Sequence, residues 1–269
     1  MKVPLFNIDL PSLRGEAVVK VTFLGIGSAT PASPGDHTAL LVRTSKQAIL
    51  IDAGPTIMVQ LGRHGLEADH VDLLLITHTH GDHTLGWPML LFRQTPLTVI
   101  GSPQSIEVLK QLVLLIYPEL SKQLRSWVCF QALEPEGLWV SPRGDVILRV
   151  ALTNHAHPCY AYRLEFPDIG RSLVYSGDTG LSREVEELAR GCDLLIHEAT
   201  YLYPRADMYQ HSSVGQAAQV AAAARCHALA LVHRNRGEPK ALELYEEEVR
   251  AHFGGRWWLP YAGQTHILV

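Results

Sequence analysis

Apolar residues in this chain come in short runs whose period points to strands, separated by stretches of helical period. Strands are predicted over residues 18–24, 38–44, 47–52 and 71–76, with a hairpin turn at Ser45-Lys46. Leu97–Gly101 continues the series, and further strands are predicted over 127–133, 146–153, Tyr160–Phe166, 172–176, 193–196 and 229–232. Helical patterns cover Ile57–Arg63, 85–92, 103–123 (with Pro118 inside it or at its break), 182–190, 212–226 and 239–253. Residues 1–16 read as an irregular lead-in, and the chain closes on an apolar tail. Strands come early in each half and helices late, with few simple strand-helix alternations. That order predicts an α/β (α+β) fold of two mixed sheets packed face to face with helices outside, in one domain over 1–269.

One stretch carries unusual chemistry. Thr77-His78-Thr79-His80-Gly81-Asp82-His83 packs three imidazoles and a carboxylate directly after a buried-strand pattern. In an extended segment His78 and His80 share a face, and Gly81 lets the chain turn so that Asp82 and His83 enter the same space. Neutral imidazole with carboxylate suits zinc, iron or manganese. The second half offers more candidates where strands run out: His155 or His157, Asp178 in Ser176-Gly177-Asp178-Thr179, and His233 after an apolar run. Scaffolds present functional groups at such places. His197-Glu198 closes another strand, and His211 precedes the good helix caps Ser212-Ser213.

Composition narrows the options. Hydrophobic residues make up 47% and charged residues 19%, ordinary for a soluble globular chain. The net charge of −4 offers no global basic field for nucleic acid, so phosphate recognition falls to local arginines. No stretch is long enough for a membrane span, and the start lacks an apolar signal region. Four scattered cysteines have no paired spacing, which suits reduced thiols in a cytoplasmic protein. Gly25-Ile26-Gly27-Ser28-Ala29-Thr30 misses the dinucleotide fingerprint at Thr30, and Pro31, Pro34 and Gly35 put a loop where that motif needs a helix. No Gly-x-Ser-x-Gly elbow suggests a serine hydrolase.

Taken in order, His-x-His-x-Asp-His at 78–83, Leu-Ile-Asp-Ala-Gly-Pro at 50–55, Ser-Gly-Asp-Thr at 176–179 and the strand followed by His233 resemble the metallo-β-lactamase superfamily. Within it the chain is most similar to the ribonuclease Z branch and its phosphodiesterase relatives, through Phe-Leu-Gly-Ile-Gly-Ser-Ala-Thr-Pro at 23–31, Leu-Leu-Ile-His-Glu-Ala-Thr at 194–200 and His211-Ser212-Ser213. The resemblance implies a four-layer αββα sandwich. It allots His78, His80 and His155 to one metal and Asp82, His83 and His233 to the other, with Asp178 bridging. His155 is preferred to His157 because its distance to Tyr162-Arg163 fits the family. The resemblance further makes Asp52 the acid that orients a ligand histidine, and His211 with Glu198 a proton-donating pair. Three features depart from the branch. The family's early Arg after the Gly-Ser-x-x-Pro stretch is replaced around Asp36-His37. Only 22 residues separate His155 from Asp178, too few for the arm that grips transfer RNA. Arg234 and Arg236 follow the last ligand at other than the family's spacing.

The expected activity is hydrolysis of a small phosphodiester or an RNA 3′ end, with two divalent cations, zinc first and manganese or iron as alternatives. Such metals lower the pKa of water towards about 7. Asp82 would orient that water or accept its proton, His211 would protonate the leaving oxygen, and Arg234 or Arg236 would hold a phosphate oxygen. Another ester class (arylsulfatase, lactonase or β-lactamase-like) stays open on the same site, as does a non-catalytic metal-binding or redox protein. Trp257-Trp258 reads as core or interface packing ahead of a base-stacking platform, and the face of the 103–123 helix as core packing, with pocket lining or a homodimer contact as its alternatives.

Overall fold

The strands are apolar on both faces because both faces are covered. In the computed structural model, which describes residues 18–31, 37–205, 210–238 and 241–269, the first half holds β1 (Val19–Gly25), β2 (Ala39–Arg43), β3 (Ala48–Ile51), α1 (Ile57–Arg63), β4 (Leu73–Leu75), α2 (Gly81–Thr84), β5 (Leu97–Gly101), α3 (Pro103–Ile116), α4 (Ser121–Trp127) and β6 (Val128–Ala132). The second half holds β7 (Leu138–Val140), β8 (Ile147–Leu152), β9 (Tyr160–Phe166), β10 (Arg171–Tyr175), α5 (Arg183–Ala189), β11 (Leu194–Glu198), α6 (Val214–Ala223), β12 (Ala228–Val232), α7 (Leu242–Arg250), β13 (Arg256–Trp258) and β14 (Thr265–Leu268).

One sheet runs β14-β1-β2-β3-β4-β5-β6 and the other β13-β12-β11-β10-β9-β8-β7. Each has three antiparallel pairings at one end, which begins at β14 in the first sheet and at β7 in the second, and three parallel ones at the other. Alternate residues divide between layers. Ile49, Ile51, Leu73 and Leu75 face the second sheet, while Leu50 and Leu74 face α1 and α3. A third core joins the second sheet to α5, α6 and α7 through residues such as Val174, Leu195 and Val220. These are the four layers of an αββα sandwich. Each fully buried Leu or Ile contributes roughly 1.5–3 kcal/mol, so the strand ends that carry functional side chains rest on rigid supports.

The structure corrects several sequence expectations. Parallel pairing needs crossovers, so helical crossovers such as β5–α3–β6 and β10–α5–β11 are commoner than the strand-early, helix-late reading implied. The helix expected over 85–92 is the short α2 and a 3₁₀ segment, Trp87–Leu91, with Pro88 in its first turn. The long helix over 103–123 breaks at Pro118 into α3 and α4, since proline lacks the N–H that would continue it. The last helix is shorter than 239–253, and its expected first two residues lie outside those described, as does the 1–16 lead-in. Strand β7 was missed, and the apolar tail supplies edge strands to both sheets, β13 to one and β14 to the other. Phe23 meets Trp258 edge-on at 6.4 Å across the core, which gives that tryptophan its packing role. No helix among the described residues is long and apolar enough to cross a membrane.

Candidate metal centre

Parallel strands β3, β4, β10, β11 and β12 end along one rim of the sandwich, and the site is assembled there. Asp52 follows β3. His78 and His80 follow β4, with Asp82 and His83 in α2. Asp178 follows β10, Glu198 ends β11 and His233 follows β12, while His155 comes from the β8–β9 loop. Asp52 and His233 both hold a left-handed backbone, at φ 63° and 59°. Non-glycine residues adopt that conformation at some cost, and such strain clusters at functional sites.

Two groups of ligand atoms meet. His78, His80, His155 and Asp178 form one, and Asp82, His83 and His233 the other, the atoms of each lying within 4.8 Å of one another. Asp178 belongs to both neighbourhoods. Its Oδ2 stands 3.6 Å from His78 Nε2 and 3.5 Å from His83 Nε2, and its Oδ1 is 3.3 Å from His233 Nε2. Within the groups, His78 Nε2 is 2.9 Å from His80 Nδ1, which is 3.3 Å from His155 Nε2; His83 Nε2 is 3.4 Å from both Asp82 Oδ2 and His233 Nε2. With metal–ligand bonds near 2.1 Å, ligand atoms around a tetrahedral cation stand about 3.4 Å apart, which these spacings match. Asp178 Oδ1 is buried without a hydrogen-bond partner, a costly state for a carboxylate oxygen that a cation would relieve. All donors are imidazole nitrogen or carboxylate oxygen. The residues fit two divalent cations.

Electrostatics keep His78 and Asp178 in ligand form. Burial, with the charge of His83, holds His78 well below the usual histidine pKa. Burial alone would raise Asp178, but the imidazoles of His233, His83 and His78 outweigh it and keep that carboxyl well below its usual range.

Behind the ligands lie two matching relays. The buried Asp52 accepts directly from His83 Nδ1 at 2.8 Å, and takes the Thr77 hydroxyl at 2.9 Å, which in turn accepts from His78 Nδ1 at 3.0 Å. Across the site the buried Glu198 accepts from His211 Nδ1 at 2.8 Å and from the Thr200 hydroxyl at 2.8 Å, which accepts from His233 Nδ1 at 2.9 Å. Each carboxylate thus fixes two imidazoles, one directly and one through a threonine, and turns their Nε2 atoms toward the centre. Sequence reasoning assigned Asp52 and Glu198 one histidine each and missed both threonines. The signal was a hydroxyl beside a ligand (Thr77-His78) and two residues past an acid (Glu198-x-Thr200). Asp52→Asn is expected to weaken metal binding roughly 10- to 100-fold, because the amide cannot hold the proton on His83 Nδ1 as firmly; competition against a chromogenic chelator measures it.

His211 stands beside the second group, its ring stacked on His233 at 5.4 Å and 17°. Burial lowers its pKa, yet the hydrogen bond and charge of Glu198 prevail and push it up to about 9, so it is protonated at neutral pH. Its ligand-capable atom also lies within 4.8 Å of those of Asp178 and His233.

The other expectations divide. His155 joins the first group, donating from Nδ1 to the Gln210 carbonyl at 3.2 Å; His157 is exposed, its ring 4.9 Å from that of His80. Arg234 does not turn to the centre. Its guanidinium bonds the Pro260 carbonyl at 3.5 Å and lies by Tyr245 in the helix layer. Arg236 is exposed. Between His155 and Asp178 the chain forms only the β9–β10 hairpin. Cys192 and Cys226, distant in sequence, bring their thiols to 3.4 Å, and all four cysteines are free.

Comparison with known proteins accords with this architecture. Residues 47–234 match the model of a β-lactamase superfamily domain. The chain is 29% identical to ribonuclease Z of Bacillus subtilis (strain 168), over 86% of this chain and 94% of that one. It is 30% identical to ribonuclease Z of Mycobacterium sp. (strain KMS), over 80% and 84%. Among solved structures it superposes on the metallo-β-lactamase fold protein YhfI from Bacillus subtilis with a TM-score of 0.79 at 21% identity, covering 93% of this chain and 99% of that one. The chain belongs to the β-lactamase superfamily, in its metallo-β-lactamase fold and on the ribonuclease Z-like side of it.

Proposed function

We propose that this protein is a dinuclear metal-dependent phosphodiesterase related to ribonuclease Z, acting on small phosphodiesters or accessible RNA 3′ ends rather than on transfer RNA held by an arm. The observation that carries the reading is the pair of ligand groups with Asp178 standing against both, and His211 hydrogen-bonded to Glu198 beside them. Both groups draw ligands from both sheets, which supports the chain acting as one catalytic unit. Zinc is the metal we favour, since tetrahedral nitrogen-and-oxygen sites suit it. When bound, two such cations supply Lewis acidity and an acidified water. Everything else falls to the chain. Asp82 orients the attacking water and takes its proton, and His211, charged through Glu198, gives a proton to the leaving oxygen. The four free thiols support a reducing compartment, the cytoplasm.

A chromogenic panel of phosphodiester, sulfate ester, lactone and β-lactam, run with and without a chelator on protein of measured metal content, tests the proposal. We expect the phosphodiester to be cleaved fastest and the chelator to abolish cleavage. Faster turnover of another class, or activity indifferent to metal removal, would sink it.

A further inference from the structure

Arg234, one of the two arginines expected to meet a phosphate, does not face the centre, yet another side chain lies close to it. The His37 carbonyl accepts from Gln60 Nε2 at 3.1 Å, and the residue bridges Gly27, whose own carbonyl takes both the Thr38 amide (2.8 Å) and the Thr38 hydroxyl (3.0 Å). The side chain emerges over Gly54, where an added Cβ would lie 3.1 Å from His37 Cβ and 2.1 Å from the Asp82 carbonyl. Glycine at 54 therefore lets His37 press directly on the loop that carries Asp82 and His83. Its ring feels the charges of Asp82, His83 and His233, the second ligand group.

The ring is half-buried, and neither nitrogen has a hydrogen-bond partner among the described residues. Nδ1 is the buried one. An N–H left unpaired in a dry position costs more than an unpaired lone pair, so in the neutral ring the proton sits on Nε2, the open nitrogen. A fixed donor without a protein acceptor, beside a metal centre, is suited to an anionic oxygen brought by a ligand.

We propose that His37 is a substrate-contacting residue, its Nε2–H donating to a non-bridging oxygen of a bound phosphoryl group. This rests on the phosphodiesterase reading above and supplies a phosphate contact that Arg234 does not. It also accounts for a histidine on this loop, where a purely structural wall would need no donor.

The test uses the full-length, metal-loaded protein with His37→Ala and His37→Gln, the latter keeping an amide donor near the Nε2 position. Inorganic phosphate is titrated calorimetrically into each, metal content is measured on the same samples, and KM and kcat are taken for a nitrophenyl phosphodiester. We expect full metal content throughout. Phosphate affinity should fall roughly 10- to 100-fold in His37→Ala, as for one lost hydrogen bond to a charged group, with KM rising more than kcat falls. His37→Gln should recover most of both. Unchanged phosphate affinity in His37→Ala overturns the assignment, and so does a loss of metal in that variant which Gln repairs without repairing phosphate binding. An inactive wild type would defeat the phosphodiesterase reading, while the phosphate titration, needing no turnover, still decides the role of His37.

Discussion

Asp178→Ala should leave the protein folded but unable to hold its metals, with kcat/KM for a phosphodiester reduced by at least roughly a thousandfold. Among the described residues Asp178 is the one whose two oxygens face both ligand groups, within 3.6 Å of His78, His83 and His233. On the bridging role proposed for it, its removal would take a ligand from each cation and the negative charge that would let two cations sit side by side. Metal catalysis supplies several kcal/mol of transition-state stabilisation, and at about 1.36 kcal/mol per tenfold its loss accounts for the fall. Metal analysis by mass spectrometry, with kinetics on the same preparation, measures both. Two metals per chain together with more than a tenth of normal activity would show that Asp178 does not join the sites.

His211→Ala should separate substrates by their leaving groups. A nitrophenolate departs without a proton, whereas an alkoxide such as a ribose hydroxyl needs one. Cleavage of an RNA or dialkyl phosphodiester is expected to fall by roughly 10²–10⁴, the usual worth of a positioned acid, and that of a nitrophenyl ester by far less. The physical basis is the 2.8 Å contact to Glu198, which keeps His211 charged at neutral pH. Equal losses on both substrates would refute the acid role. Because its ligand-capable atom also lies close to those of Asp178 and His233, metal content has to be measured as well. A missing cation in His211→Ala would make this residue a ligand, held by Glu198 as His83 is held by Asp52.

Much of the centre was legible in the chain because its first half is local. His78, His80, Asp82 and His83 sit within six positions, and strand alternation followed by a turn is enough to converge them. Asp178 and His233 were legible for a different reason: each follows an apolar strand directly, and in parallel sheets the ends of such strands share one rim. Legibility failed where side-chain direction depends on distant contacts. Arg234 is adjacent to a ligand yet faces Pro260 and Tyr245, and Thr77 and Thr200 hold imidazoles through hydroxyls that look like ordinary polar residues in the sequence. His37 acquires its place only because Gly54 and Asp82, remote in the chain, pack beneath it.

The pattern of apolar and polar residues by itself determined the strands, the two-sided burial that makes a layered sandwich, and the chemical type of the ligands, because these follow from period, volume and donor atoms. The tertiary structure alone decided how two buried carboxylates each orient a pair of histidines, that Arg234 turns to Pro260, and that His37 packs beside Gly54. Those choices turn on distances of about an ångström between elements far apart in sequence, and no local preference of the chain encodes a distance of that kind.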